Sequence, residues 1–221
     1  MCGRFTFFEQ LETLEKLFNN KYRQNTPLPT SYNIAPTQSI FCVYHDGTYE
    51  QLKTVRWGLI PSWAKEQKSS RPLINARAET VTEKPSFRQS FQRRRCIIPA
   101  SGFYEWQTKN KKKQPFHIQL KNGDPLAFAG IWDTWSNDTE QMTSCAIITT
   151  EANELVADIH ERMPVILSPA DFDRWLDPTN TDPQSVTPML EPYPAGDMIA
   201  YEVSPRVNDP RSNDAELVNS L

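Results

Sequence analysis

Two nucleophiles can meet at the start of this chain. Cys2 directly follows the initiator, and removal of Met1, which the small side chain at position 2 permits, leaves an α-amine beside a thiol. The reference pKa values, roughly 7.7–8.0 for the amine and about 8.5 for the thiol, leave a useful fraction of each reactive near neutral pH. An aldehyde is the natural partner, because the amine forms an imine and the thiol then closes a five-membered thiazolidine ring. The alternative is that Cys2 is an incidental residue on a frayed terminus.

Three further polar residues inside apolar stretches could assist such chemistry. Glu105 lies between Tyr104 and Trp106, a setting that favours a raised pKa and a general acid or base role. His160 can transfer protons near neutral pH, and Asn75 could orient a substrate. Each also has a structural interpretation: a solvent-facing strand residue, a histidine at a helix C-terminus, or a turn residue.

Composition predicts one folded domain over residues 1–221. Hydrophobic residues at 38% and aromatic residues at 11% indicate a globular protein whose length suffices to bury a core. The chain has neither a long apolar run nor an apolar signal region behind a basic start, so we expect a cytoplasmic protein. No two of the cysteines form a C-x-x-C pair, which argues against a zinc site. The three later ones, Cys42, Cys96 and Cys145, are predicted to lie in the core.

Basic residues are clustered in a chain whose formal net charge is -3. The clusters are Arg93–Arg95 and the group formed by Lys109 with Lys111–Lys113. A mildly acidic protein can still carry a basic groove for nucleic acid. Because most charge runs are solvated loops, both clusters are left without a functional role.

The elements that must position these residues are mostly strands. A capping box, with Thr6 as N-cap and Glu9 reaching back, predicts a first helix that ends near Asn19 and pins Cys2 to the protein. Asp46-Gly47 and Asn122-Gly123 predict two hairpin turns.

Alternation and apolar runs predict the remaining elements. Strands are expected at 40–44, 49–55, 96–99, 102–106, 115–120, 126–132, 145–150, 165–167 and 198–203, and short helices near 86–92, 153–159 and after Ser168. Residues 177–196 are predicted to form a loop, and residues from about 208 to 221 a polar C-terminal tail. This order of elements predicts an α+β fold with a mainly antiparallel sheet.

Six motifs occur in a fixed order along the chain. They are Met1–Phe5, Tyr32–Pro36, Trp57–Trp63, Ile74–Thr80, Gly102–Trp106 and Ile159–Pro164. The set closely resembles the SRAP family, the SOS-response-associated peptidase domain, and the resemblance extends to Val203–Val207. It implies a single SRAP domain with a barrel-like, mainly antiparallel β core and short flanking helices.

The resemblance implies a DNA-damage protein that senses abasic sites in single-stranded DNA. After removal of Met1, Cys2 would form a thiazolidine with the ring-opened sugar aldehyde, and this covalent cross-link would shield the lesion. By motif position, Asn75 holds the abasic sugar, while Glu105 and His160 are the acid and base for ring opening, imine formation and reversal. Ring closure would consume the imine and so suppress a lyase side reaction that cleaves the strand.

The resemblance also implies how the DNA is held. Arg4, Arg77, Thr149 and Arg162 are assigned to phosphates or the abasic sugar, and Trp63, Trp106 and Pro36 to a base-stacking channel. We expect no metal and no organic cofactor. We also expect a monomer that is cytoplasmic and associates with the nucleoid when bound to DNA.

Two other functions remain open at this stage. One is a cysteine peptidase acting on itself or on other proteins, with Cys2, Glu105 and His160 as nucleophile and base. The other is a reader of DNA in which Cys2 does no chemistry. Arg4, Arg77 and Arg162 favour a phosphate backbone over a peptide as substrate.

Overall fold

Runs of β-branched and aromatic residues, separated by short polar turns, make strands the main regular structure of this chain. The computed structural model describes residues 2–19, 29–66, 72–109 and 111–221. The strands in these ranges are β1 Phe5–Phe7, β2 Ser31–Ile34, β3 Ser39–His45, β4 Glu50–Trp57, β5 Asn75–Arg77, β6 Arg95–Ala100, β7 Gly102–Lys109, β8 Lys112–Leu120, β9 Leu126–Ser136, β10 Gln141–Glu151, β11 Arg162–Pro164 and β12 Met198–Glu202. The α-helices are α1 Leu11–Leu17, α2 Arg88–Arg93, α3 Glu154–Ala157, α4 Phe172–Leu176 and α5 Pro183–Val186.

The strands form two sheets. The smaller sheet has the order β12-β8-β7-β1-β2, with antiparallel neighbours throughout. The larger has the order β11-β10-β4-β3-β6-β9, and β9 also pairs with β10, so that β10, β4, β3, β6 and β9 close into a barrel. These features confirm the predicted α+β fold with a mainly antiparallel, barrel-like core. The exceptions are the parallel pairings of β10 with β4 and with β5.

The strand β1 joins the two sheets through its aromatic side chains. Phe5 is 1% exposed, and its ring meets Trp57 of the barrel at 5.2 Å and Phe128 at 5.8 Å between centroids, both edge to face. Such aromatic contacts add to the stabilisation that comes from buried area. The amino terminus is therefore fixed against the barrel, and the interpretation of Cys2 as a residue on a frayed terminus is wrong.

The predicted capping box at Thr6 is wrong. Thr6 lies inside β1, is fully buried, and donates its hydroxyl to the Gly102 carbonyl at 3.2 Å. The first helix begins at Leu11 after Gln10, whose side chain makes no capping bond. Pairing of β1 with both β2 and β7 outweighs the local helix signal, as tertiary context commonly does.

The hairpin predicted at Asn122-Gly123 is also wrong. A turn is present there, since Gly123 has a φ of 76° and donates its N–H to Leu120. The turn carries the chain from one sheet to the other, because β8 pairs with β7 and β12 while β9 pairs with β6 and β10. Both edges of each strand are thus taken by other partners.

Two regions predicted to be solvated are in fact packed. Arg95 is 4% exposed and donates to five carbonyl oxygens around α2 and α4. In the C-terminal segment, Leu217 is fully buried and Ser220 bridges to Val203. Arg95 is the first residue of β6, all of whose residues are buried. Leu217 packs in a cluster with Tyr104 and Val203, which holds the C-terminal segment against the protein.

Other predictions agree with the structure to within a few residues. The hairpin at Asp46-Gly47 joins β3 and β4 in full register, and Cys42, Cys96 and Cys145 are all buried core residues without disulfides. The predicted loop at 177–196 contains α5 and short 3-10 turns, and β2 was not predicted.

Candidate active site at the amino terminus

Cys2 is held in place by a side chain of the barrel. The residue has no exposed surface, and its carbonyl oxygen accepts a hydrogen bond of 2.8 Å from Nδ2 of Asn75. Asn75 opens β5, which pairs with β10 at Ile147. The barrel thereby fixes the main chain of Cys2. Asn75 was expected to hold an abasic sugar, and that role stays a prediction.

Glu105 is the buried carboxylate of the site. It lies on β7 with 2% of its surface exposed, and burial raises its pKa to about 7. Near neutral pH the carboxyl is therefore divided between its protonated and ionised forms, which is the state that suits a general acid or base.

The thiol of Cys2 differs from the sequence-based expectation. Burial raises its pKa far above the ordinary value, and the negative charge of Glu105 raises it further. The thiol is consequently protonated at neutral pH, and the expectation that a useful fraction is already ionised is wrong for this environment. Desolvation disfavours the thiolate more strongly than any nearby charge favours it.

His160 lies just beyond α3, on the loop that enters β11. Its Nδ1 accepts the N–H of Arg162 at 3.0 Å, so the neutral ring carries its proton on Nε2. Burial lowers the pKa of His160. The loop is tied to β7, the strand of Glu105, by Gln107, which donates to the Asp158 carbonyl at 2.7 Å.

A polar cavity of about 580 Å³ lies at the end of β5, β10 and β11. Its lining includes Arg77, Glu79, Thr80, Glu151, Ala152, Ala157, Glu161 and Arg162. Arg77 and Thr149 are paired across β5 and β10. The Thr149 hydroxyl is buried and has no hydrogen-bond partner among the described residues, and its predicted contact with DNA stays a prediction.

Arg4 serves the structure of the protein itself. Its Nη1 donates to Oδ1 of Asn33 at 2.6 Å and to the Val207 carbonyl at 2.8 Å, and burial lowers its pKa. These bonds tie the residue next to Gly3 to the C-terminal segment. A phosphate contact of Arg4 stays a prediction.

The three residues predicted to form a stacking channel have different surroundings. Trp63 is 61% exposed and lines a groove of about 630 Å³ with Arg88 and Gln89. Trp106 is half-buried, and its Nε1 donates to Oδ1 of Asn208 at 2.7 Å. Pro36 is half-buried just after β2. Of the three, Trp63 presents the open face that base stacking requires.

Sequence reasoning missed the role of Glu79. Its carboxylate forms a two-pronged ion pair with Arg162 at 2.5 Å and 3.0 Å. Glu79 was inside one of the quoted motifs, Ile74–Thr80, but the partner lies 83 residues away, and no local pattern signals that contact.

Within the described part of the chain, no cluster of three or more histidine, cysteine or acidic residues is suited to a metal ion. None of the helices described there is long and apolar enough to cross a membrane.

Comparison with known proteins gives consistent matches. Residues 1–210 match the family model described as SOS response associated peptidase (SRAP). The chain is 47% identical over 223 residues to the abasic site processing protein YoqW of Bacillus subtilis, with all of both chains covered. It is 32% identical to the abasic site processing protein YedK of Escherichia coli, over 80% of this chain and 79% of that protein. A crystal structure of a protein from Bacteroides thetaiotaomicron superimposes with a TM-score of 0.87 at 26% identity, covering both chains completely.

Proposed function

The chain belongs to the SRAP family, and we propose that it processes abasic sites in single-stranded DNA by forming a covalent cross-link through Cys2. The names of its relatives, abasic site processing proteins, support this assignment. The observation that carries the proposal is the setting of Cys2, whose carbonyl accepts a hydrogen bond from Asn75 and whose thiol lies within the electrostatic influence of the buried Glu105. A site of this composition suits an N-terminal nucleophile that reacts with a carbonyl.

The order of bond formation follows from the buried thiol. Once Met1 is removed, the α-amine of Cys2 attacks C1′ of the ring-opened sugar, and loss of water gives an imine. The thiol then adds to the imine carbon while its proton passes to the imine nitrogen. One water is released in total. Because the raised pKa keeps the thiol protonated, the amine is the first nucleophile and the thiol the second.

Glu105 and His160 move the protons in this sequence. The protonated carboxyl of Glu105 donates to the ring oxygen as the closed sugar opens, and the resulting carboxylate can take a proton back. A pKa of about 7 allows both roles at physiological pH. His160, with its proton on Nε2, is the second group able to exchange a proton with the amine and the departing water.

The polar cavity, whose lining includes residues close in sequence to Asn75 and His160, suits a phosphate backbone. Arg77 and Arg162 contribute two cations to its lining, and the buried hydroxyl of Thr149 lies between their strands. Cations that converge near a nucleophile neutralise phosphates, while the exposed ring of Trp63 offers a stacking surface. Single-stranded DNA fits this combination better than a duplex, because stacking requires unpaired bases.

Ring closure determines the fate of the DNA strand. An imine at C1′ acidifies the C2′ proton and promotes loss of the 3′ phosphate, which is a lyase reaction. Addition of the thiol of Cys2 consumes the imine. The thiazolidine therefore protects the strand, and we assign lyase activity to incomplete closure.

The test is intact mass spectrometry of the purified protein after it has been mixed with a single-stranded oligonucleotide that carries one abasic site. The mass of the protein by itself first reports whether Met1 has been removed. The expected product has the mass of protein plus DNA minus one water, survives denaturation, and is absent with undamaged DNA. Cys2→Ala removes the thiol and should leave no stable adduct. A protein without Met1 that forms no adduct would exclude the covalent mechanism.

The peptidase alternative has weaker support from the site. A thiol with a raised pKa is poorly suited to attack a peptide bond, which requires a thiolate, whereas the covalent route to DNA begins with the amine. The DNA-reader alternative predicts that Cys2→Ala keeps its DNA affinity and that the wild type forms no adduct. The same mass measurement therefore separates all three functions.

A further inference from the structure

The guanidinium of Arg162 is already occupied by a carboxylate. Nη1 donates to Oε1 of Glu79 at 2.5 Å and Nη2 to Oε2 at 3.0 Å, while Nη2 also donates to the Thr149 carbonyl at 2.6 Å. A carboxylate in this two-pronged arrangement uses the same donors that a phosphate would use. A phosphate and Glu79 therefore compete for Arg162.

The two partners differ in how firmly they are held. The side chain of Arg162 is 12% exposed and anchored by the Thr149 carbonyl, whereas that of Glu79 is 45% exposed. Glu79 lies in the short 3-10 turn Ala78–Thr80, directly after β5. The carboxylate can rotate into solvent without disturbing a sheet, so Glu79 is the partner that leaves.

We propose that Glu79 is an internal competitor of the DNA phosphate, which occupies Arg162 until a strand displaces it and thereby weakens the binding of undamaged DNA. The inference rests on the proposed function. Weaker non-covalent binding applies to every single strand, whereas retention at an abasic site depends on the bond to Cys2. Glu79 therefore increases the ratio between retention on damaged DNA and retention on undamaged DNA.

Two other roles of Glu79 would give different effects on DNA affinity. If its carboxylate served to orient Arg162 towards a phosphate, removal of its charge would weaken binding. If Glu79 acted only through its negative charge in the cavity, any acid in the lining would have the same effect. Glu151 lines the same cavity and is exposed, so it provides the matched control.

The experiment measures fluorescence anisotropy of an undamaged, labelled single-stranded oligonucleotide at several salt concentrations. Glu79→Gln keeps the shape of the side chain and removes its charge. We expect it to bind about 2- to 5-fold more tightly than the wild type, the range of a partly exposed ion pair, with a steeper dependence on salt. Glu79→Asp keeps the charge on a shorter side chain and should lie between the two.

Two comparisons make the result specific. Glu151→Gln should tighten binding by less than half as much as Glu79→Gln. In an Arg162→Gln background, Glu79→Gln should have no further effect, because the competition no longer exists. Thermal unfolding of each variant checks that it is folded.

Weaker or unchanged binding by Glu79→Gln would overturn the inference, as would an equal effect of Glu151→Gln or a full effect in the Arg162→Gln background. The adduct assay with abasic DNA, run on the wild type in parallel, distinguishes a failure of the proposed function from a failure of the role of Glu79. A wild type that forms no adduct contradicts the proposed function. A wild type that forms the adduct, together with Glu79→Gln that does not bind more tightly, contradicts only the role of Glu79.

Discussion

Two arginines of this protein differ in the partners of their guanidinium groups, one serving structure and the other, by our proposal, recognition of a phosphate. Arg95 is 4% exposed, and its guanidinium donates to five main-chain carbonyls at 2.7–3.0 Å. Arg162 instead donates to one carbonyl and to the carboxylate of Glu79. Carbonyls belong to the backbone and cannot leave, whereas a half-exposed carboxylate can. The exchangeable partner is what distinguishes an arginine available for a ligand.

The largest expected effect on stability comes from replacing Arg95. Replacement by Ala leaves buried carbonyls in the region of Trp175 and Asp177 without donors, and should lower the free energy of unfolding by about 3–5 kcal/mol. Arg95→Lys should recover only part of this loss, since an ammonium has three donors. Urea denaturation measures both. A loss below about 1 kcal/mol for Arg95→Ala would remove the contrast with Arg162.

A second effect concerns the buried acid of the site. The folded pKa of Glu105 is about 7 against an ordinary value of 4.5, so the folded state binds the proton more tightly than the unfolded state. Stability is then fully present below about pH 4.5 and falls as the pH rises towards 7, by up to about 3 kcal/mol. Glu105→Gln should remove this slope.

The measurement is the unfolding temperature at pH 5 and at pH 8. Glu105→Gln should be more stable than the wild type at pH 8 only, while its rate of adduct formation falls by about 10²-fold or more. Asp124, an exposed acid on the turn before β9, gives a control through Asp124→Asn. An identical pH dependence in the wild type and Glu105→Gln would contradict the raised pKa.

Asn33 is an intermediate case between the two arginines. It is 1% exposed, accepts from Arg4, and donates to the carbonyls of Asp209 at 3.0 Å and Ser212 at 2.7 Å. Asn33→Ala should lower the free energy of unfolding by about 1–3 kcal/mol. Hydrogen exchange should show that the loss of protection is concentrated after Val207. Loss of protection spread evenly over the barrel would contradict a local tie.

The smallest effect on stability is expected at Arg162. Arg162→Gln removes a partly exposed ion pair and should change the free energy of unfolding by less than about 1 kcal/mol. Its affinity for undamaged single-stranded DNA should fall about fivefold, and the slope of log K against log salt should decrease by about 0.7. Anisotropy titrations measure both quantities. A stability loss as large as that of Arg95→Ala would show that Arg162 is structural.

Local signals in the sequence were reliable where the structure is also local. The turn at Asp46-Gly47 and the strands on either side were predicted because the turn residues and the strand patterns that flank them lie within about 15 residues of one another. Thr6 was misassigned because β1 is held by pairing with β2 and β7, whose residues are about thirty and almost a hundred positions away. Arg95 was taken for part of a solvated loop because its acceptors are carbonyls, which no sequence pattern displays.

The candidate site was predictable to a different extent. The motif set named Cys2, Asn75, Glu105 and His160. The structure brings Asn75 into contact with Cys2 and places Glu105 where its charge acts on the Cys2 thiol, and the loop of His160 is tied to β7 by Gln107. The protonation state of the thiol could not be predicted, because it depends on burial rather than on residue type. The bond between Glu79 and Arg162 could not be predicted either, since it depends on how β5 and β11 flank β10.

The pairing of β1 with β7 also determines when, during translation, the amino terminus can reach its folded position. Phe5 pairs with Phe103, so the ribosome must add about 100 residues after β1 before its partner exists, which takes roughly 5–20 s at typical elongation rates. Cys2 has no exposed surface once folding is complete. During this interval an aminopeptidase meets no folded structure around Cys2, so Met1 is cleaved most easily from the nascent chain. Aminopeptidase treatment of Met1-bearing protein should therefore be faster on the unfolded chain than on the folded one.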